Sequence, residues 1–394
     1  MRLFQTGSLF SAALTLCITA ASASGQYTVK ILASAQLSNG VLGYNPAYVN
    51  GGQMVGYLIA SDYSDHAALW TSGGLTDLNP TGDISSWVYG TNGMQQVGAG
   101  GPGNSQSALL WGGSASSVVV LPSLGYPEAA AHGIGGNQEI GYVGYGSEVN
   151  YHQAVAWNGN GDTYVNLNPS AYQGSEGYAT NGHQQVGLAL AGNLEHAMLW
   201  SGTAASAVDL NVTAGVSGSA AYGISDDGSQ QVGTESNLYT DYTSEAALWT
   251  GSAASWVNLN PAGWDFTVAY GTNGHQQVGS GFNNSGGYSQ ALVWSGSATS
   301  MVDLNDFIPS QYAPMGSYAY AIDSSGDIYG YFAALTAKAY AIEWVPTPVP
   351  EPTGLVLIGA FAWALLSARR CRITGHALKP THLHERPSAT ARAL

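Results

Sequence analysis

Cysteine is nearly absent from this 394-residue chain. Cys17 lies close to the start and Cys371 close to the end, so the body between them can form no disulfide and depends on its core for stability. Basic residues are as scarce. Of nine Lys and Arg, seven (Arg2, Arg369, Arg370, Arg372, Lys379, Arg386 and Arg392) sit at the two ends. Only Lys30 and Lys338 remain between residues 24 and 345, against 22 of the 24 carboxylates. A body of that sign repels polyanions, which argues against nucleic acid as a partner. Amphipathic helical periodicity is missing as well. So are HExxH, GxSxG, a Walker loop, a dinucleotide fingerprint and a cysteine metal cluster. These absences lead to the expectation of a protein with no catalytic residues and no cofactor, a non-enzyme. What the chain does have is 53 Gly, 24 Tyr and 11 Trp, and its 45% hydrophobic content implies a packed core.

The abundant residues recur with a period. A tryptophan closes a short apolar run seven times, at Trp70, Trp111, Trp157, Trp200, Trp249, Trp294 and Trp344. A second signature, QVG or a close variant, places a glycine at Gly56, Gly98, Gly141, Gly187, Gly233, Gly279 and Gly330. Between them lie a VDL or VNL segment and a YGTNG-like segment, giving four short runs of β-formers per unit. Asn92-Gly93, Asn181-Gly182 and Asn273-Gly274, with Asp227-Gly228 in the equivalent place, suit the positive φ of a tight hairpin. Units of about 45 residues with four strands have the size of propeller blades. The sequence therefore predicts an all-β, seven-bladed β-propeller over residues 24–345, closed because the first unit begins at Tyr27 and the last ends at Trp344.

In a repeat protein a residue shared by every blade is read first as architecture, so the tryptophans and QVG glycines are expected in the core. The VDL position alternates Asp77, Asp209 and Asp303 with Asn166 and Asn258, which points to a turn role that needs no charge. Four residues before each tryptophan the side chain is always polar, including His66, Gln153, His196, Glu245 and Gln290. If that strand runs near the axis, these residues form a polar ring at one channel mouth, fit for a sugar or an ion; if it does not, they are solvated or blade-linking groups. His132 breaks a position that is otherwise Tyr89, Tyr178, Tyr222, Tyr270 and Tyr320, and His183 and His275 fall in turns. Asp226-Asp227 and the Asp323–Asp327 turn offer oxygen donors for weak calcium binding or for plain turns.

The ends read differently. Residues 1–23 form a signal peptide, with Arg2, an apolar stretch from Leu9 to Ala20, and a small-residue cleavage site at Ala21 and Ala23. Cys17 lacks the small preceding residue that lipoprotein processing requires. Residues 346–352 are a Pro-rich linker, where Pro348, Pro350 and Pro352 keep the backbone extended and open to a processing enzyme. Residues 353–372 hold an apolar helix and a basic cluster. The uncharged run Gly354–Ala368 is about 22 Å long as a helix, short of the ~30 Å hydrocarbon core. Arg369, Arg370 and Arg372 would hold the tail 373–394 on the cytoplasmic side.

These segments carry a resemblance. The repeat A-x-L-W, V-x-D-L, A-Y-G-x-N-x-x-G-Q-x-V-G is similar to the HAF-type extracellular repeats of bacterial surface proteins. Pro350-Glu351-Pro352, followed by the apolar run and the arginines, resembles a PEP-CTERM sorting segment. The resemblance implies recognition by an exosortase and transient membrane anchoring through the C-terminal helix. It further implies delivery to the cell surface or exopolysaccharide matrix of a Gram-negative bacterium, where biofilm is built. The extension from Cys371 to Leu394 departs from the family pattern, which stops soon after the arginines. The combined expectation is a secreted, non-catalytic propeller that binds surface glycans, with an extracellular carbohydrate-active hydrolase or lyase on the same scaffold as the alternative.

Overall fold

The computed structural model describes residues 27–347, apart from short stretches at 35–46, 50–51, 61, 72–73, 103–105, 160, 162, 213–217, 238–242, 284–286 and 336–338. The signal peptide with Ala21 and Ala23, the sorting residues Pro350, Glu351, Pro352, Arg369 and Arg370, and the apolar run all lie outside the described residues. Among the described residues no helix is long and apolar enough to cross a membrane.

Seven four-stranded antiparallel sheets follow one another along the chain. The fourth, for example, is built from Ser175–Thr180, Gln185–Ala191, Leu194–Trp200 and Val208–Asp209, in that order across the sheet. The first strands of successive sheets touch one another all the way around, including Ala47–Val49 against Pro314–Ile322, so they line the axis of a seven-bladed propeller. The YG segment is thus innermost, QVG second, the tryptophan strand third and VDL outermost. Closure follows the phase of the repeat. Tyr27–Ser34 pairs with Ala339–Pro346 and completes the last blade from the opposite end of the chain. That last strand runs to Pro346, one residue into the stretch read as linker.

Each blade buries both faces against its neighbours, which is why the apolar residues of the second and third strands form a chain of interblade clusters. The seven tryptophans are all buried. Some also cross between blades: Trp111 Nε1 donates to the Leu78 carbonyl and Trp344 Nε1 to that of Leu304. The VDL carboxylates and amides make turns as expected, since Asp77, Asn166, Asp209, Asn258 and Asp303 each accept from the backbone N–H two residues on. The next asparagine then ties blade to blade. Asn168 Oδ1 accepts from Ser175 Oγ, which accepts in turn from Ala154 N of the preceding blade, and the same relay runs through Asn79, Asn211, Asn260 and Asn305. The turn glycines take the positive φ their position demands, 86° at Gly93 and 91° at Gly182.

Candidate functional site

The axis is decorated by a backbone device repeated in six blades. Register slips by one residue between Val88 and Gly90, Ala131 and Gly133, Gly177 and Ala179, Ala221 and Gly223, Ala269 and Gly271, and Ala319 and Ala321. The residue left unpaired at each bulge is Tyr89, His132, Tyr178, Tyr222, Tyr270 or Tyr320. A bulge re-aims its side chain out of the pleat. Here the result is a ring of aromatic groups around the channel, with neighbouring centroids 5.3 Å apart from Tyr89 to His132 and from His132 to Tyr178, then 5.4, 6.1 and 4.9 Å on to Tyr320. The QVG glycine is the other half of the device. A Cβ at Gly187 would lie 2.0 Å from the Glu176 carbonyl, and one at Gly233 would lie 1.9 Å from that of Ala220, so only glycine fits opposite the bulge.

A cavity of about 360 Å3 lies between this ring and the inner hairpin turns, with Asn92, Asn181 and Asn273 on its wall and Asp226 and Asp323 among the acidic groups lining it. Every one of the six ring residues is half-buried. Burial raises the phenols: Tyr89 is pushed up to about 12, with Tyr57 and Asp65 adding to the effect, and burial also holds Tyr178, Tyr222 and Tyr320 well above their ordinary value, so they remain neutral donors and aromatic faces.

Blades three and four break the repeat around this ring. Glu176 stands where the other inner strands carry Trp87, Ala130, Ala220, Val268 and Tyr318, and His152 stands where other third strands carry Asp65, Glu195 and Ser244. His152 Nδ1 is 2.6 Å from Glu176 Oε1 and Nε2 is 2.7 Å from the Gly146 carbonyl. Both ring nitrogens face acceptors, so both carry protons and the pair is ionic. Burial opposes the charge on His152, but the bonds to Glu176 and Gly146 outweigh it and raise its pKa; for Glu176 burial is likewise outweighed, chiefly by His152, and its pKa is lowered. Tyr142 stacks on His152 at 3.9 Å, and Tyr178 Oη donates to Glu176 Oε2 at 2.8 Å. His132 is the opposite case. Desolvation lowers its pKa, and its Nδ1 lies 3.1 Å from the Gly177 carbonyl, so it sits in the ring as a neutral imidazole that donates there.

The polar residues expected at the channel mouth are elsewhere. His66, Gln153, His196, Glu245 and Gln290 lie on third strands, two strands away from the axis. Four of them bond to the outer strand of their own blade: His66 to Asp77 at 2.8 Å, His196 to Asp209 at 2.7 Å, Glu245 to Asn258 at 2.6 Å, and Gln153 to Asn166. The ring these residues would form is not there, because the tryptophan strand is third and not first. The acidic turns are also spoken for. Asp227 Oδ1 accepts from Ser225 Oγ and from Ser229 N and Oγ, bonds that hold its carboxyl down at about 2, and Asp323 accepts from Ser325 N, Asp327 N and Tyr329 Oη. Among the described residues no group of three or more His, Cys, Asp or Glu is placed to hold a metal ion. His183 follows the turn pattern, its N–H donating to Asn181 Oδ1.

Fold and site together define the class: a velcro-closed, seven-bladed β-propeller with an aromatic ring on its axis. No family model and no curated protein matches the chain. Among solved structures it resembles the β-propeller domain of the Trilobed protease from Pyrococcus furiosus, at 9% identity and a TM-score of 0.53, over 81% of this chain and 99% of that one. It also resembles puromycin hydrolase, at 11% identity and a TM-score of 0.51, over 79% of this chain and 55% of that one. The protease domain is described as having an open velcro topology, whereas here the strand Tyr27–Ser34 fastens the ring. The likeness is one of fold. It nonetheless overturns the expectation of a non-enzyme, because the propellers that this chain resembles belong to a protease and a hydrolase, and the lack of a catalytic motif in a propeller does not set it apart from such proteins.

Proposed function

We propose that this chain is an exported propeller of the cell surface or extracellular matrix that binds a ligand in its axial cavity. Its C-terminal Pro350-Glu351-Pro352 segment directs sorting by an exosortase-type enzyme. The observation that carries the binding reading is the aromatic ring: six bulges, each disrupting a ladder, present six side chains to one cavity. The sorting reading rests on the sequence pattern of the C-terminal segment and on the acidic, disulfide-free body. Surface glycans are the ligand class in view, since aromatic faces stack on sugar rings.

Two measurements test this. Intact mass of the mature protein in its host, with and without alanine at Pro350, Glu351 and Pro352, is expected to end near Glu351 only when the motif is intact. A mass running through Leu394 in both versions contradicts sorting. Co-sedimentation of the purified propeller with the host's own matrix polysaccharide is expected, and is expected to weaken in Tyr222→Leu.

A further inference from the structure

The lining of the axial cavity combines aromatic rings with acidic side chains. Three asparagines reach it, and each has its amide oxygen and one amide N–H engaged elsewhere. Asn181 Oδ1 accepts from the backbone N–H groups of His183 and Gln184, while its Nδ2 donates to the Ser225 carbonyl of the next blade. Asn92 and Asn273 are held the same way, to Gly136 and Asp323. The amides that would read the hydroxyls of a neutral sugar are therefore used in the fold. The six aromatic groups and the exposed side chains of Asp226 and Ser324 remain.

Centroid spacings of 4.9 to 6.1 Å around the ring average about 5.4 Å, which for seven-fold symmetry places each ring about 6 Å from the axis. A cation on the axis would lie about 6 Å from each centroid, the outer limit of the range over which aromatic rings and cations attract. The charged side chains on the cavity wall are of one sign. Asp226 is exposed there and Asp323 lines it, and no Lys or Arg is among the lining residues, while Glu176 is balanced by His152. Over residues 24–345 there are 22 carboxylates against two lysines, so the long-range field also draws cations inward.

We infer that the axial cavity is an aromatic cage for an alkylammonium group, framed by Tyr89, His132, Tyr178, Tyr222, Tyr270 and Tyr320. This rests on the proposed binding role of the cavity and narrows its ligand to a cationic one. Two sources supply that chemistry: the free amine of a deacetylated amino-sugar polymer, and a small organic cation such as a quaternary ammonium compound.

The test is isothermal titration of the purified protein with three probes: tetramethylammonium, glucosamine oligomers, and N-acetylglucosamine oligomers of the same length. Binding of either cationic probe, at least about tenfold tighter than the acetylated oligomer, is the expected result. Preference between the two cationic probes identifies the source. Tyr222→Phe, which keeps the aromatic face, is expected to bind within about twofold of the parent, and Asp226→Asn, an exposed change, to bind a few-fold more weakly with a shallower salt dependence. Equal binding of acetylated and free oligomers overturns the cationic assignment while leaving the binding role standing. No binding of any probe overturns the cage assignment, and failure of the matrix co-sedimentation separately counts against the binding role.

Discussion

Replacing Glu139 by glutamine should stabilise the protein, and by more at high pH than at low. The second position of the QQVG signature holds adjacent blades together in the second, fourth and sixth blades. Gln96 Nε2 donates to Gln53 Oε1 and Gln185 Nε2 to Gln138 Oε1, while their own Oε1 atoms accept from Gly113 N and Gly202 N. Glu139 occupies that position in the third blade with 0% exposure, and neither of its carboxylate oxygens has a hydrogen-bond partner. Burial pushes its pKa from 4.5 up to about 7. The folded protein therefore holds the proton more tightly than the unfolded chain does, so the cost of the group grows as pH rises from 4.5 and is complete above about 7. A shift of that size corresponds to about 3 kcal/mol, and a glutamine adds about 1 kcal/mol of hydrogen bonding at either pH. Urea midpoints of parent and Glu139→Gln at pH 5 and pH 8 measure this directly. The variant should gain about 1–2 kcal/mol at pH 5 and about 3–4 kcal/mol at pH 8. An equal gain at both, or a loss at pH 8, refutes the reasoning.

Gly187→Ala places a Cβ 2.0 Å from the Glu176 carbonyl, so it should cost about 3 kcal/mol or more and flatten the bulge that aims Tyr178, as read by thermal unfolding. Histidine titration by NMR should find His152 above 6.5 and His132 below it; the reverse order would refute the ion-pair assignment. Because the His152 contribution is lost as pH rises through its folded pKa and the Glu176 contribution as pH falls through its own, His152→Ala should cost most, about 3 kcal/mol, between pH 4.5 and 6.5. Deleting Tyr27–Ser34 exposes the edge of Ala339–Pro346, so gel filtration should show self-association where the parent stays a single species.

Blade number and closure were legible because two independent signatures, the tryptophan and the QVG glycine, count seven and share a phase. Radial order was not legible. Alternation identifies a strand, but it says nothing about distance from the axis, so it leaves open whether His66 and Gln153 stand at the channel or, as the fold has them, two strands away. The ring itself was visible as Tyr89, Tyr178, Tyr222, Tyr270 and Tyr320 in register, but invariance across blades reads as packing, and only the one-residue slip beside each tyrosine reveals its other role. His132 breaks the tyrosine pattern and is nonetheless a member of the same ring. Glu176 and His152 carried no local signal, since their partnership spans 24 residues and two blades. The usable clue was a carboxylate at an inner-strand position that elsewhere is apolar or aromatic.

The account stands on the axial ring being where ligand binds. Ring-labelled tyrosine NMR of the propeller, titrated with the host's matrix polysaccharide and then with glucosamine oligomers, tests that most directly. Shifts are expected to concentrate at Tyr178, Tyr222, Tyr270 and Tyr320, with the exposed Tyr63, Tyr151, Tyr164 and Tyr288 unmoved. Shifts confined to those exposed tyrosines, or none at saturating ligand, would contradict it.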